Sequence, residues 1–318
     1  PAALKALAEL DGVTHIYPDP ESRKLREKIA EYVNVPIEYV FVGHGSDEII
    51  DLLMRLFLSP GDPVLTSQPT FGMYRFDADV SAANLVDVPR RSDYTLDLPA
   101  IEEAVYQTRA KLFFLANPNN PTGTPVTEAE IDFLLSLPII VVSDEAYCEF
   151  TGDAGAATRV PDTPNLITLR TFSKWAGLAG LRVGYGIMPL WIMEHMWKIK
   201  QPYNVSVSAQ AAALASLEDL PRLLDNVARI ITERERLYLA LESIDYLKPY
   251  PTAANFVLCR VVGGQLDALT LKTHLAKRGI LVRYYNKPGL ENCLRITVGK
   301  PDQTDRLVDV LREIGESL

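Results

Sequence analysis

Four polar residues that follow buried-looking runs carry the chemistry of this chain. Lys174, in Thr171-Phe172-Ser173-Lys174, comes after the apolar run 166–169, and Arg182 stands eight residues further on. Asn120, in Asn120-Pro121-Thr122-Gly123, comes after the run 112–116, and Asp144 and Tyr147 come after the run 139–142. An amine that can form a Schiff base, a carboxylate that can pair with a ring nitrogen, and an amide and a phenol that can hold a phenolic oxygen are the parts of a pyridoxal phosphate site. Each also has a plainer reading: Lys174 a solvated surface lysine, Asp144 a helix N-cap, Tyr147 a packing aromatic, Asn120 a turn residue before proline. What joins them is their order, each delivered from the end of a short apolar run.

A phosphate needs donors and positive charge. Gly45, Ser46 and Asp47 lie where Gly43-His44-Gly45-Ser46 enters an apolar helical stretch over 47–58, so backbone N–H groups and the helix dipole would point at an anion. A bare strand-to-helix turn accounts for the same residues about as well.

The elements that must position these residues alternate along the chain. Ser22 reads as an N-cap, with Leu25, Ile29 and Val33 at helical spacing after it. Apolar runs at 39–42, 64–66, 84–88, 111–116, 138–142 and 165–169 read as strands, the last two so short that burial on both faces explains them best. Helical patterns lie between them from about Phe71, over 101–106, and up to Leu137, where Thr127 and Glu130 spell a capping box. This alternation predicts the α/β class, a large, doubly wound and mostly parallel sheet covered by helices, with ligands at the carboxyl ends of its strands. After Pro202 the texture changes: an Ala-rich helix over 206–217, a long amphipathic one from Pro221 to about Ile244, strands at 255–261, 281–285 and 293–298, a helix over 266–278 and a last one from Gln303. The expected division is a large cofactor-binding domain, 12–221, and a smaller α+β substrate-side domain, 222–318 together with 1–11.

Bulk composition narrows the function class. Acidic side chains outnumber basic ones 41 to 32, a net charge of −9 without any basic run, which argues against nucleic acid or an anionic membrane as partner. No apolar run approaches the roughly 20 residues of a membrane-spanning helix, and no secretory signal opens the sequence. Cys148, Cys259 and Cys293 are far apart and read as reduced, buried thiols, and His15, His44, His195 and His274 show no ligand spacing. A cytoplasmic protein without a metal is therefore expected. The start at Pro1, not at methionine, implies that an N-terminal piece precedes it.

Further motifs carry a resemblance: Tyr17-Pro18-Asp19-Pro20, Gly45-Ser46-Asp47-Glu48, Pro69-Thr70-Phe71-Gly72-Met73-Tyr74, Asn117-Pro118-Asn119-Asn120-Pro121-Thr122-Gly123 and Cys293-Leu294-Arg295-Ile296-Thr297-Val298-Gly299. On these and the Asp144 and Lys174 stations, nearly the whole chain resembles the fold-type I pyridoxal phosphate-dependent aminotransferases, and within them the histidinol-phosphate branch. The resemblance implies a catalytic Lys174 that carries pyridoxal 5'-phosphate, assisted by Asp144 at the pyridine nitrogen and by Tyr147 and Asn120 at the phenolic oxygen. It implies Phe71 stacked on the ring, and a phosphate cup of Gly45, Ser46, Asp47, Thr171, Ser173 and Arg182. Arg295 would take the donor's carboxylate and Arg283 the substrate's phosphate. Tyr17 would reach the neighbouring subunit's site, which makes the enzyme a homodimer. The implied reaction exchanges an amino group between L-histidinol phosphate and glutamate/2-oxoglutarate in histidine biosynthesis; an aromatic aminotransferase or a threonine-phosphate decarboxylase on the same fold is the runner-up. Two features depart from the family pattern: its N-terminal Asn-Pro-aromatic segment lies before Pro1, and Phe71 stands where relatives often have tyrosine. His44 and Trp175 read as structural.

Overall fold

Two sheets organise the chain. The computed structural model describes residues 2–316; Pro1, Ser317 and Leu318, which fall at the ends of the expected smaller domain, lie outside the described residues. The larger sheet is built from β1 (Val40–Gly43), β2 (Pro63–Thr66), β3 (Asn84–Asp87), β4 (Leu112–Ala116), β5 (Ile140–Asp144), β6 (Leu166–Thr171) and β7 (Gly184–Ile187), in the order β1-β7-β6-β5-β4-β2-β3. Strands β3, β2, β4, β5 and β6 are parallel neighbours, and β7 runs antiparallel to both β6 and β1. The smaller sheet, entirely antiparallel, has β8 (Leu247–Pro249), β9 (Phe256–Val261), β10 (Arg283–Tyr284) and β11 (Cys293–Thr297) in the order β10-β11-β9-β8. Helices α1 (Ala2–Ala8), α2 (Arg23–Val33), α3 (Ser46–Phe57), α4 (Met73–Val80), α5 (Leu98–Thr108), α6 (Glu128–Leu135), α7 (Leu190–Ile199) and α8 (Val207–Glu218) precede the long α9 (Leu220–Glu242), and α10 (Ala268–Lys277) and α11 (Pro301–Glu316) follow it.

Strand β4 shows why a central strand can be an unbroken apolar run. Leu112, Phe114 and Ala116 enter one core with Ile49 and Leu53 of α3 and Met196 of α7. Phe113 and Leu115 enter the opposite core with Ile101 of α5 and Leu134 of α6. With helices on both faces, no position of the strand is left for a polar side chain.

Two expectations need correction. Ser22 occupies the N-cap position of α2 but is left-handed (φ 49°) and makes no side-chain cap. The carboxylate of Asp19 does that work, accepting from the N–H groups of Glu21 (3.1 Å) and Arg23 (2.7 Å), and a cap of this type contributes about 1 kcal/mol. The strand expected over 281–285 shrinks to the two residues of β10, because Leu281 is 87% exposed and has no core to enter. Strand β7 was not foreseen at all: Gly184 and Gly186 depress its strand propensity.

One helix belongs to two cores. Leu223 and Val227 of α9 pack with the core beside β1 and β7, and Leu237 and Leu241 pack under the smaller sheet. Between them the buried Arg234 donates from Nη1 to the carbonyls of Phe150 (2.9 Å) and Ala254 (3.2 Å). Helix α1 lies along α8, and its Ala3 and Leu7 face a groove that Gly299 and Pro301 also line.

Candidate active site

Parallel pairing sets the geometry of the site. Ala116 at the end of β4 is the register partner of Asp144 at the end of β5, which in turn is level with Leu169 of β6. The three strands therefore release Asn120, Tyr147 and Lys174 at the same edge of the sheet. There they line one cleft with Asp144, Ser46, Asp47, Phe71, Thr171, Ser173 and Arg182.

Asp144 is buried where it lines the cleft, and this burial pushes its carboxyl up to about 6 despite two hydrogen bonds. Tyr74 donates its hydroxyl to Oδ2 (2.8 Å) and the Ala146 N–H donates to Oδ1 (3.2 Å). Lys174 opens onto the cleft, yet protein atoms crowd its amine from the other sides. That crowding first, and the Arg295 guanidinium second, lower its pKa. Its Nζ lies 5.7 Å from the centre of the Tyr147 ring. Burial raises the Tyr147 phenol to about 12.

Two glycines shape the end of the cleft beside Arg182. Gly45 caps α3 with φ 80°, and a Cβ there would stand 2.8 Å from Nη2 of Arg182. A Cβ on Gly184 of β7 would meet the Ser46 nitrogen at 2.5 Å, so glycine is what lets the strand pass against this turn. Arg182 bonds Asp47 Oδ2 at 2.7 Å, and the Thr171 hydroxyl donates to the Ser173 hydroxyl at 2.9 Å.

Arg295 of β11 reaches over from the smaller sheet. Its Nη1 donates to Asn120 Oδ1 at 2.6 Å, its guanidinium lies 4.7 Å from the Phe256 ring centre, and its buried Nε has no partner. Arg283 is exposed on edge strand β10, directly opposite Arg295 in register, and both guanidinium groups face the Tyr285 ring, at 5.6 and 5.9 Å. Tyr17 is not in this cleft: it is 76% exposed and stacks on Tyr203 at 4.6 Å. Trp175 is buried against Tyr32, and His44 uses its backbone N–H on Glu48.

Two residues that touch the site's side chains were not singled out in the sequence. Tyr74 looks there like a core aromatic of α4, and only the fold reveals that its hydroxyl ends on Asp144. Tyr285 sits at the end of an apolar run, with no spacing signal to mark it as the ring shared by two arginines.

Chemically, a lysine amine of lowered basicity can add to a carbonyl. A buried carboxylate can accept a cationic N–H, and a helix N-terminus beside an arginine can hold a phosphate. The family model described as aminotransferase class I and II matches residues 1–311. The chain belongs to that family. Among class I and II aminotransferases, it is 51% identical over 318 residues to the histidinol-phosphate aminotransferase of Roseiflexus castenholzii, covering 98% of this chain and 85% of that protein. It is 46% identical over 316 residues to the histidinol-phosphate aminotransferase of Dehalococcoides mccartyi, covering 99% and 87%. The crystal structure of the Sinorhizobium meliloti histidinol-phosphate aminotransferase in complex with pyridoxal-5'-phosphate superposes with a TM-score of 0.93 at 31% identity, over 100% of this chain and 88% of that one.

Proposed function

We infer that this aminotransferase uses pyridoxal 5'-phosphate to exchange an amino group between L-histidinol phosphate and 2-oxoglutarate, a step of histidine biosynthesis. The observation that carries the reading is the pairing, in one cleft, of a lysine amine of lowered basicity with a buried, cation-seeking carboxylate. The cleft fits the cofactor: Asp144 calls for a cationic N–H, Gly45 keeps the space before Arg182 open, and the hydroxyls of Thr171 and Ser173 lie beside it.

When bound, the cofactor supplies an aldehyde for the amine exchange and a ring that takes up an electron pair. Lys174 would hold the cofactor through its amine and, once freed, would carry the proton to and from the substrate Cα, work suited to an amine whose neutral form is accessible. Asp144 would hold the proton at the pyridine nitrogen, Asn120 and Tyr147 would orient the phenolic oxygen, and Phe71 would pack against the ring. The N–H groups of Ser46 and Asp47 beyond Gly45 hold the phosphate with Thr171, Ser173 and Arg182. Arg295 receives the carboxylate of glutamate, and Arg283 the phosphate of histidinol phosphate, since a guanidinium fork accepts either anion.

The exposed Tyr17 belongs to the same reading as the residue that reaches a second copy's cofactor and substrate, so the working unit is a homodimer. Dilution to monomer then lowers activity and cofactor affinity together, and an active monomer would contradict it. The division into 12–221 and 222–318 with 1–11 is supported by the two sheets, while α1, lying along α8, touches the larger one as well. A cytoplasmic location is supported by three buried, unpaired cysteines.

The decisive test is a donor panel with 2-oxoglutarate: histidinol phosphate, phenylalanine and O-phosphothreonine. Histidinol phosphate should give the highest kcat/KM. Preference for phenylalanine would replace this reading with an aromatic aminotransferase, and loss of CO₂ from O-phosphothreonine with a decarboxylase.

A further inference from the structure

A second groove runs between the two sheets, apart from the cleft. The inner face of the smaller sheet carries Arg283 and Arg295 at one end, and Arg260 of β9 with Lys248 of β8 at the other, because Arg260 and Lys248 are direct register partners. An apolar cluster of Leu258, Cys293, Leu290 and Tyr94 separates the two ends. Beyond it, Arg260 and Lys248 face the segment 87–94 of the larger sheet's side, with Lys287 completing the rim.

The charge of this groove is opposite to that of the chain. Six of its lining residues are cations and one, Asp87, is a carboxylate, in a protein of net charge −9. Three of those cations are already engaged: Arg75 with Asp87, Arg91 with Asp97 at 3.6 Å, and Arg90 with the carbonyls of Ser67 and Tyr94. Lys248, Arg260 and Lys287 have no carboxylate within ion-pair distance among the described residues. Arg260 donates to the Tyr94 hydroxyl (3.2 Å), and its Nε is buried without a partner. Lys248 lies 5.8 Å from the centre of the Tyr250 ring. Like charges facing each other across a strand pair repel, and a buried guanidinium N–H without an acceptor is costly. Both are relieved by an anion seated between them.

We propose that this groove is a second ligand site, one that binds a small phosphorylated polyanion through Lys248, Arg260 and Lys287. Phosphate is the group it suits. Two ammonium point charges and one guanidinium fork call for two or three negative charges spread over several oxygens, which one carboxylate cannot supply. Since Lys248, Arg260 and Lys287 come from β8, β9 and the β10–β11 loop while Tyr94 comes from the other sheet's side, the ligand would bridge the two.

The test is isothermal titration of the cofactor-loaded enzyme with inorganic pyrophosphate at low and at physiological salt. Lys248→Gln with Lys287→Gln removes two exposed cations without touching either core; it should raise Kd at least tenfold, equivalent to about 1.4 kcal/mol, and leave transamination unchanged. A control pair, Lys24→Gln with Lys277→Gln, should leave Kd as it is, and so should Arg295→Ala. No heat of binding in the wild type, loss of binding in the control pair, or loss through Arg295→Ala alone would each overturn the proposal. The readout is binding, so it stands or falls separately from the choice of amino donor.

Discussion

Tyr74→Phe removes one hydroxyl and leaves its ring, which stacks on Phe114 at 5.3 Å and meets Phe71 edge-on at 5.6 Å, so the fold should persist. What is lost is the donor to Asp144 at 2.8 Å. A hydrogen bond to a charged group contributes about 1.5–3 kcal/mol, and one pKa unit corresponds to about 1.36 kcal/mol, so the carboxyl should rise by roughly one to two units. Burial already holds it at about 6, which places the variant between about 7 and 8 before any cofactor is added. At pH 7 the ionised fraction would then fall from about nine-tenths to between about one-half and one-tenth. A bound pyridinium lowers both curves but preserves the gap between them. The acid limb of the kcat/KM profile should therefore move up by one to two units in Tyr74→Phe, with the plateau above it largely retained. The assay is that profile beside the pH dependence of the cofactor's absorbance, with circular dichroism as the control for folding. An acid limb that stays in place in a folded variant would show that Tyr74 does not set the charge of Asp144.

Asp144 should also be visible in stability. Its folded pKa is raised from 3.8 to about 6, so its protonated form stabilises the cofactor-free fold below pH 3.8 and that contribution is lost as pH rises through about 6, a difference of about 3 kcal/mol at most. Asp144→Asn should accordingly raise the Tm of cofactor-free enzyme at pH 7.5, lose that advantage near pH 4, and bind the cofactor more weakly; equal Tm differences at both pH values would contradict this. Lys174→Ala should abolish multiple turnover while the circular dichroism spectrum is unchanged, and retained turnover would remove Lys174 from catalysis. Arg283→Ala should lower kcat/KM for histidinol phosphate roughly ten- to hundredfold, the loss of one charge-assisted contact of about 1.5–3 kcal/mol, and spare glutamate. Arg295→Ala should damage both half-reactions, so measuring each separately distinguishes the two arginines.

Much of the cleft could be read from the sequence because of how a parallel sheet buries its strands. Leu112–Ala116 is apolar on both faces and 166–169 is apolar but for Thr168, so the polar residues that follow such runs mark the sheet's edge. Asn120, Asp144, Tyr147 and Lys174 were found that way, and the fold collects them in one cleft. Where the signal depends on partners far along the chain, the sequence is silent. Tyr74 reads as a core aromatic until its hydroxyl is seen on Asp144, 70 residues away. The facing of Arg283 and Arg295 depends on the register of a two-residue strand, which no hydrophobic period could specify. Strand β7 is hidden by its glycines, and one of these is needed for its passage against the turn at Gly45 and Ser46. Ser22 misled because residue type suggests a cap, whereas its left-handed backbone turns the side chain away from that task.

Helix α9 has a mechanical side. It is rooted in one core by Leu223 and Val227 and in the other by Leu237 and Leu241, with Arg234 pinned midway. It thus acts as a lever whose fulcrum is Arg234. At 1.5 Å per residue the arm from Arg234 to Glu242 is about 12 Å, so a tilt of about 5° displaces its tip by roughly 1 Å. That is the margin within which a charge-assisted hydrogen bond is made or lost. The placement of the smaller sheet, which carries Arg283 and Arg295, therefore depends in part on the bending stiffness of this helix, and a softening residue near its middle would loosen that placement from a distance.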